Sequence, residues 1–518
     1  MVVTSQPLAA MSGLRMLMDG GNAIDAAVAT AATLNVVEPG STGAGGDVFA
    51  LVWSAKEKRV QALNASGRSP AAASLDELRA KGFTEVPAES AYSITVPGAV
   101  SGWAALLERY GSMPFSSVLE PAIHYASEGY PVSEIISTHW IRNFEKLRSR
   151  PSGAELLLDG GRPQPGDIMR MPELANTLHT IAEGGADAFY RGPLAEKIAT
   201  YVQQQGGWLS AEDLADHQAT WDEPISTEYR GLRCWQCPPN GQGVNALMAL
   251  NIAEGFDIES MGFQTTDTYH HLIESVRLAF ADGYYHVTDP AKMRVATSDL
   301  ISKRYAESRR GLIDPGRALG TVSTGLELAR GDTVYITSVD GEGNACSLIN
   351  SVYMGFGTGL VVPTTGLALH CRGVSFSLDP EHPNALEPRK RPFHTLIPGI
   401  VTRDDELWLS YGVMGTVQQP QGHLQVLTSM IDFGLSPQEA LNAPRFSVRP
   451  GRSWDDLNLE DLVPTDVVDG LRSRGHAVTV REPLALFFGG GQIIERDAGS
   501  GVLRGGAEPR SDGFAVGW

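Results

Sequence analysis

Hydroxyl-bearing side chains crowd two neighbouring apolar runs of this sequence: Thr333, Thr337 and Ser338 in the first, Ser347 and Ser351 in the second. Buried hydroxyls need partners, and two readings supply them. In one, they hydrogen-bond to each other across adjacent strands and do no chemistry. In the other, Thr333 becomes a chain terminus by self-cleavage after Asp332. A single residue then holds a nucleophilic hydroxyl and, beside it, an α-amine titrating near pH ~7.7–8 that acts as general base. No His or Asp partner is required. The cleavage would be an N-to-O acyl shift of the Asp332 carbonyl onto the Thr333 hydroxyl, followed by hydrolysis of the ester. It demands backbone strain and an oxyanion site, neither of which a sequence displays.

A hairpin would hold these groups. Val334 to Val339 is rich in β-branched and aromatic residues, the cluster Asp340-Gly341-Glu342-Gly343-Asn344 supplies turn chemistry, and the run from Ala345 to Tyr353 is strand-like again. Around it the order of elements indicates an α/β protein. Helices are expected over residues 6–18, 22–37, 102–110, 193–205, 266–287, 418–433 and 436–441, with strands at 48–53 and 60–64 joined by a reverse turn. Residues 100–256 read as mainly helical, and residues 321–330 carry no strong pattern.

Cys234 and Cys237 invite a redox or metal reading, but they lie in a strand-like run ending at Pro238-Pro239. Residues i and i+3 of a strand face opposite ways, and no second ligand pair completes a tetrahedral site. Neither metal nor cofactor is expected. The four cysteines are too few for a secreted disulfide framework. With 518 residues, 42% hydrophobic, the chain can bury a large core. A net charge of -19, from 41 basic and 60 acidic side chains, argues against nucleic acid or an anionic membrane as partner. The opening Met1-Val2-Val3-Thr4-Ser5-Gln6-Pro7 has neither a basic nor an apolar leader region, and no run reaches the ~18 apolar residues of a spanning helix. A cytoplasmic location is therefore expected.

The hairpin at Thr333 strongly resembles that of the γ-glutamyltranspeptidase family of N-terminal-nucleophile hydrolases. Further landmarks follow in family order: Asp19-Gly20-Gly21-Asn22-Ala23-Ile24-Asp25, Gly43-Ala44-Gly45-Gly46-Asp47-Val48-Phe49, Val96-Pro97-Gly98-Ala99, Tyr110-Gly111-Ser112-Met113-Pro114, Phe356-Gly357-Thr358-Gly359, Lys390-Arg391-Pro392-Phe393-His394-Thr395, Asn442-Ala443-Pro444-Arg445-Phe446 and Arg510-Ser511-Asp512-Gly513. The resemblance implies a four-layer αββα sandwich. It also implies a precursor cut into residues 1–332 and 333–518, which remain one intertwined unit. Residues 321–330 are then the segment that leaves the site after cleavage.

By the same resemblance, Ser351 matches the family's second threonine, and Gly415 and Thr416 match its oxyanion pair, with Thr416 in place of a glycine. The glutamyl-recognition residues are mostly missing. Ser375 stands where an acid holds the substrate's α-ammonium, His394-Thr395 replace two adjacent serines, and Ser66 stands at the position of a carboxylate-binding arginine, with Arg68 two positions on. Arg372 is a cation where the family usually has a neutral side chain, and Tyr353 joins the expected substrate-binding residues. A guanidinium is a natural bidentate partner for a carboxylate, so a small acyl group bearing a carboxylate but no amine is expected, as in the branch that includes oxamate amidohydrolase and acylase-like members. The competing structural role for Arg372 is an ion pair with a local acid such as Asp379; for His394 it is that of a satisfied core histidine.

The expected protein is an autoprocessing amidohydrolase or acyltransferase. Its partners are a small-molecule amide and the other fragment of its own precursor, with a homodimer left open. Three alternatives stand beside it: a glutathione hydrolase or γ-glutamyltransferase with a rearranged pocket, a bulky side-chain acylase of the cephalosporin-acylase kind, and an unprocessed binding protein.

Overall fold

The computed structural model describes residues 1–320, 322, 332–449 and 455–518, without the side chains of Pro151 and Asp332. Among these residues two large antiparallel sheets face each other. The first has seven strands in the order Phe514–Val516, Val2–Thr4, Asp332–Val339, Ala345–Tyr353, Asp47–Ser54, Arg59–Ala65 and Thr220–Asp222. The second has six: Leu503–Ala507, Gly490–Arg496, Glu406–Met414, Gly399–Arg403, Leu232–Gln236 and Ile225–Tyr229.

Strand alternation builds the layers. Along Asp47–Ser54, Val48, Ala50 and Val52 face the helices Pro7–Met18, Ala23–Val37 and Ala99–Tyr110, whereas Phe49, Leu51 and Trp53 join Tyr335, Ile349, Ile400 and Ile494 between the sheets. The far side of the second sheet is covered by Gly243–Ala253, Thr266–His286 and Gln418–Ile431. Helix, sheet, sheet, helix is the expected αββα order. No helix of the described residues is long and apolar enough to cross a membrane.

Helix starts follow from capping. Gln6 accepts from the amides of Leu8 and Ala9, at 2.6 and 3.1 Å, and Asn22 forms a reciprocal capping box with Asp25. The region expected to be mainly helical contains the strands Thr220–Asp222, Ile225–Tyr229 and Leu232–Gln236. A tight hairpin turn, with φ of 51° at Arg230 and 79° at Gly231, joins the last two. Polar Ser226, Thr227 and Glu228 hide the first of them in the sequence. Cys234 and Cys237 pack into different cores, one under the helices and one between the sheets, and both are free thiols. Val322 apart, residues 321–330 lie outside the described set.

Candidate active site

The hairpin forms as expected, with strands Asp332–Val339 and Ala345–Tyr353 in antiparallel register. Its hydroxyls divide by face. Ser338 donates to the Ala23 carbonyl on the helix side, at 2.6 Å. On the inter-sheet side, Thr337 bonds Ser410 Oγ of the facing sheet at 2.6 Å, and Tyr335 and Ser347 pair across the hairpin at 2.7 Å. At the strand end, Thr333 Oγ1 stands 3.1 Å from Ser351 Oγ, both buried. A bulge between Asn350 and Tyr353 turns the backbone there; Tyr353 takes a φ of 78°, and its amide donates to Ser351 Oγ at 2.8 Å.

Asp47 lies directly across the sheet from Ser351. The glycine-rich turn before it allows this close approach: a Cβ on Gly46 would fall 2.3 Å from the Ser351 carbonyl. Asp47 Oδ1 accepts from the Gly67 amide at 3.1 Å, while Oδ2 has His370 Nδ1 and His394 Nε2 each at 3.1 Å and Arg372 Nε at 3.8 Å. Of these, the His394 contact has hydrogen-bond geometry; the other two are ion-pair distances. Burial alone would raise the Asp47 carboxyl, but the His370 ring and then the His394 ring outweigh it and hold it well below the usual carboxylate range. Burial, followed by the Arg372 charge, lowers His394 to about 3, so it is a neutral ring.

Arg372 is fully buried in the short helical turn Arg372–Ser375. Its Nη1 donates to Thr395 Oγ1 at 2.9 Å, and its guanidinium lies 4.1 Å from the Tyr353 ring centre. Its Nε and Nη2 have no hydrogen-bond partner, and the buried hydroxyls of Tyr353 and Ser375 have no partner of full hydrogen-bond geometry. Burial pushes the Tyr353 phenol up to about 12, against the pull of Arg372, so it stays protonated.

Gly415 and Thr416 follow the strand Glu406–Met414, with φ of 118° and 56°. The left-handed conformation is uncommon for a β-branched residue, and it persists because the surroundings fix it. Gln242 is one such constraint: its Nε2 donates to the carbonyls of Thr416 at 2.8 Å and Thr395 at 2.7 Å, and so ties the turn to the residue that Arg372 holds.

The structure thus gathers Thr333, Ser351, Tyr353, Arg372, Ser375, His394 and Thr395 around Asp47, with Gly415 and Thr416 joined through Gln242. The acid beside Arg372 is Asp47; Asp379 caps the Glu381 amide instead, at 3.0 Å. His394 has both ring nitrogens engaged, since Nδ1 also accepts from the Leu396 amide at 3.3 Å. It serves here as a scaffold histidine. Arg68 is half-exposed and paired with Asp289 at 2.8 Å and the Arg389 carbonyl at 3.1 Å, apart from this cluster. Asp47, His370 and Gln242 escaped the sequence reading. The signal for Asp47 was a lone acid between a glycine turn and an apolar strand.

A sequence model of the family described as gamma-glutamyltranspeptidase matches residues 9–518. The chain is 39% identical to the glutathione hydrolase-like YwrD proenzyme of Bacillus subtilis (strain 168), over all of this chain and 98% of that protein. It is 36% identical to the oxamate amidohydrolase proenzyme of Klebsiella pneumoniae, again over all of this chain and 98% of that one. The crystal structure of cephalosporin acylase from Bacillus halodurans superimposes with a TM-score of 0.93 at 45% identity, over all of this chain and 95% of that one. The chain belongs to the gamma-glutamyltranspeptidase family of N-terminal-nucleophile hydrolases and is an amide hydrolase of that family.

Proposed function

We propose that the chain is a precursor which cleaves itself between Asp332 and Thr333 and then hydrolyses the amide of a small acyl group that carries a carboxylate. In the first reaction Thr333 Oγ1 attacks the Asp332 carbonyl carbon, the peptide C–N bond breaks to free the Thr333 amine, and water hydrolyses the ester. In the second, the freed amine takes the Thr333 hydroxyl proton as Oγ1 attacks the substrate carbonyl. The backbone amides of Gly415 and Thr416 receive the oxyanion, the Thr333 ammonium passes its proton to the substrate nitrogen as the C–N bond breaks, and water hydrolyses the acyl ester to release the acid and restore the Thr333 hydroxyl. Ser351, 3.1 Å from the nucleophile, orients it.

The observation that carries the substrate class is Arg372. A fully buried guanidinium with bare Nε and Nη2 is costly unless a ligand completes it. Asp47 at 3.8 Å offsets its charge without occupying those donors. A carboxylate would take both in a bidentate pair. The relative named for oxamate, a small amide with a carboxylate, agrees with this reading.

A second reading, a bulky-acyl acylase, is favoured by the likeness to the cephalosporin acylase structure. Ammonia release from oxamate, compared with cleavage of glutathione, whose acyl group also carries an amine, and of an amide whose bulky acyl group has no carboxylate, separates the readings. Preference for oxamate supports the small-carboxylate assignment; preference for either other amide overturns it.

A further inference from the structure

Far along the chain from the nucleophile, three side chains able to bind a metal converge in the helical layer over the second sheet. His270 and Glu274 lie one turn apart on Thr266–His286 and so share a face, and His476 follows the helix Thr465–Ser473. All three are buried, and their ligand atoms lie within 4.8 Å of one another. His270 Nδ1 is 2.8 Å from His476 Nε2, which is 3.7 Å from Glu274 Oε1.

The surroundings orient each group. His270 Nε2 is 2.8 Å from the Asp314 carbonyl, which can only accept, so this nitrogen carries the ring proton and Nδ1 presents its lone pair to His476 and Glu274. A histidine whose outer N–H is fixed on a backbone carbonyl is the usual arrangement of a metal ligand. The Glu274 carboxylate is gripped in turn by Arg277 Nη1, at 2.9 and 3.2 Å. One proton between His270 Nδ1 and His476 Nε2 now fills the position where a cation would sit.

We infer that His270 Nδ1, His476 Nε2 and Glu274 Oε1 form a site for a divalent transition metal of the zinc or cobalt class, with water as fourth ligand. The metal takes the place of that proton, which moves to His476 Nδ1 as the neutral ring changes tautomer. Two bonds of ~2.0–2.1 Å at a tetrahedral angle set the nitrogens roughly 3.3 Å apart, so the pair opens by a few tenths of an ångström. A cavity of about 290 Å³ lined by Arg277, His476 and Asp455 offers an entry path and room for the water.

The position gives the site a structural role. Arg277 also donates to the carbonyls of Leu319 and Gly320, at 2.9 and 3.0 Å, and His270 holds Asp314, so these residues grip the chain on its way to the cleavage region. If the cleavage proposed above occurs, His270 and Glu274 belong to one fragment and His476 to the other. The metal then clamps the two fragments together; the binding itself does not depend on cleavage.

The test is titration of the metal-stripped full protein with cobalt(II) chloride, read by its visible d–d absorption and by equilibrium dialysis. Wild type and Thr333→Ala should each bind one equivalent, and His476→Ala and Glu274→Gln should bind at least tenfold more weakly while circular dichroism shows them folded. No d–d band in wild type, or equal binding by wild type and both variants, overturns the site. A wild-type protein that binds cobalt yet stays one chain sinks the processing reading and leaves the metal site standing.

Discussion

The guanidinium of Arg372 lies 4.1 Å from the centre of the Tyr353 ring, and both side chains are fully buried. The stacking fixes the guanidinium plane and leaves Nε and Nη2 for a ligand. Arg372→Lys keeps the charge but loses the planar fork. Hydrogen bonds to a charged group contribute ~1.5–3 kcal/mol, so kcat/KM for a carboxylate-bearing amide should fall roughly 10- to 100-fold. Steady-state kinetics check this, and gel electrophoresis should show cleavage of the precursor unaffected. Undiminished kcat/KM would mean that the carboxylate sits elsewhere.

Asp47 compensates Arg372 and receives His394. Asp47→Asn leaves a buried guanidinium without its anion, and breaking a buried pair of this kind costs about 3 kcal/mol or more. Urea denaturation should show that loss. A variant as stable as wild type would make Asp47 a bystander.

Acid should destabilise the protein well above the pH at which carboxylates titrate. Burial lowers His394 and His423 to about 3 and His217 to about 4, whereas the unfolded chain holds its histidines near ~6.5. Between those limits the unfolded state binds more protons, so the stability these neutral rings contribute is complete above pH ~6.5 and is lost as the pH falls toward ~3–4. Asp47, held below its usual range, adds a loss only under pH ~3.9. Denaturation midpoints measured from pH 7 to 4 should decline steadily; a flat profile would contradict the burial of these rings.

Ser351 Oγ bridges Thr333 Oγ1 and the Tyr353 amide. Ser351→Ala leaves that buried donor unmatched, a cost of ~1–3 kcal/mol, and removes the partner of Thr333. Slower precursor cleavage and lower kcat are expected, with Ser351→Thr restoring both. Rates equal to wild type in the alanine variant would remove Ser351 from the site.

The oxyanion reading uses the Thr416 amide, not its side chain. Thr416→Gly relieves a φ of 56° that a β-branched residue adopts at a cost, and it keeps the donor. Turnover should stay within about threefold of wild type, since the backbone donor is unchanged. A hundredfold loss in kcat would show that the hydroxyl itself takes part.

Much of this was legible in the sequence. The hairpin announced itself because β-branched runs, turn residues and buried hydroxyls coincide, and the layers follow from period-two alternation along strands such as Asp47–Ser54. Asp47 was not legible as a site residue, because its partners at 370, 372 and 394 are distant in sequence and meet it only through the register that sets it opposite Ser351. Arg68 looked suitable by position, yet Asp289 claims it, a pairing between residues far apart in the chain. Nothing in the sequence marks Gln242; its two long-range carbonyl contacts give it a role.

Intact mass spectrometry of freshly purified wild type and Thr333→Ala tests the central claim most directly. Self-cleavage predicts two wild-type fragments, residues 1–332 and 333–518, and an uncut 55.5 kDa chain in the variant. A wild type that stays whole after prolonged incubation, or a variant that is cut at the same bond, would contradict Thr333 as the nucleophile.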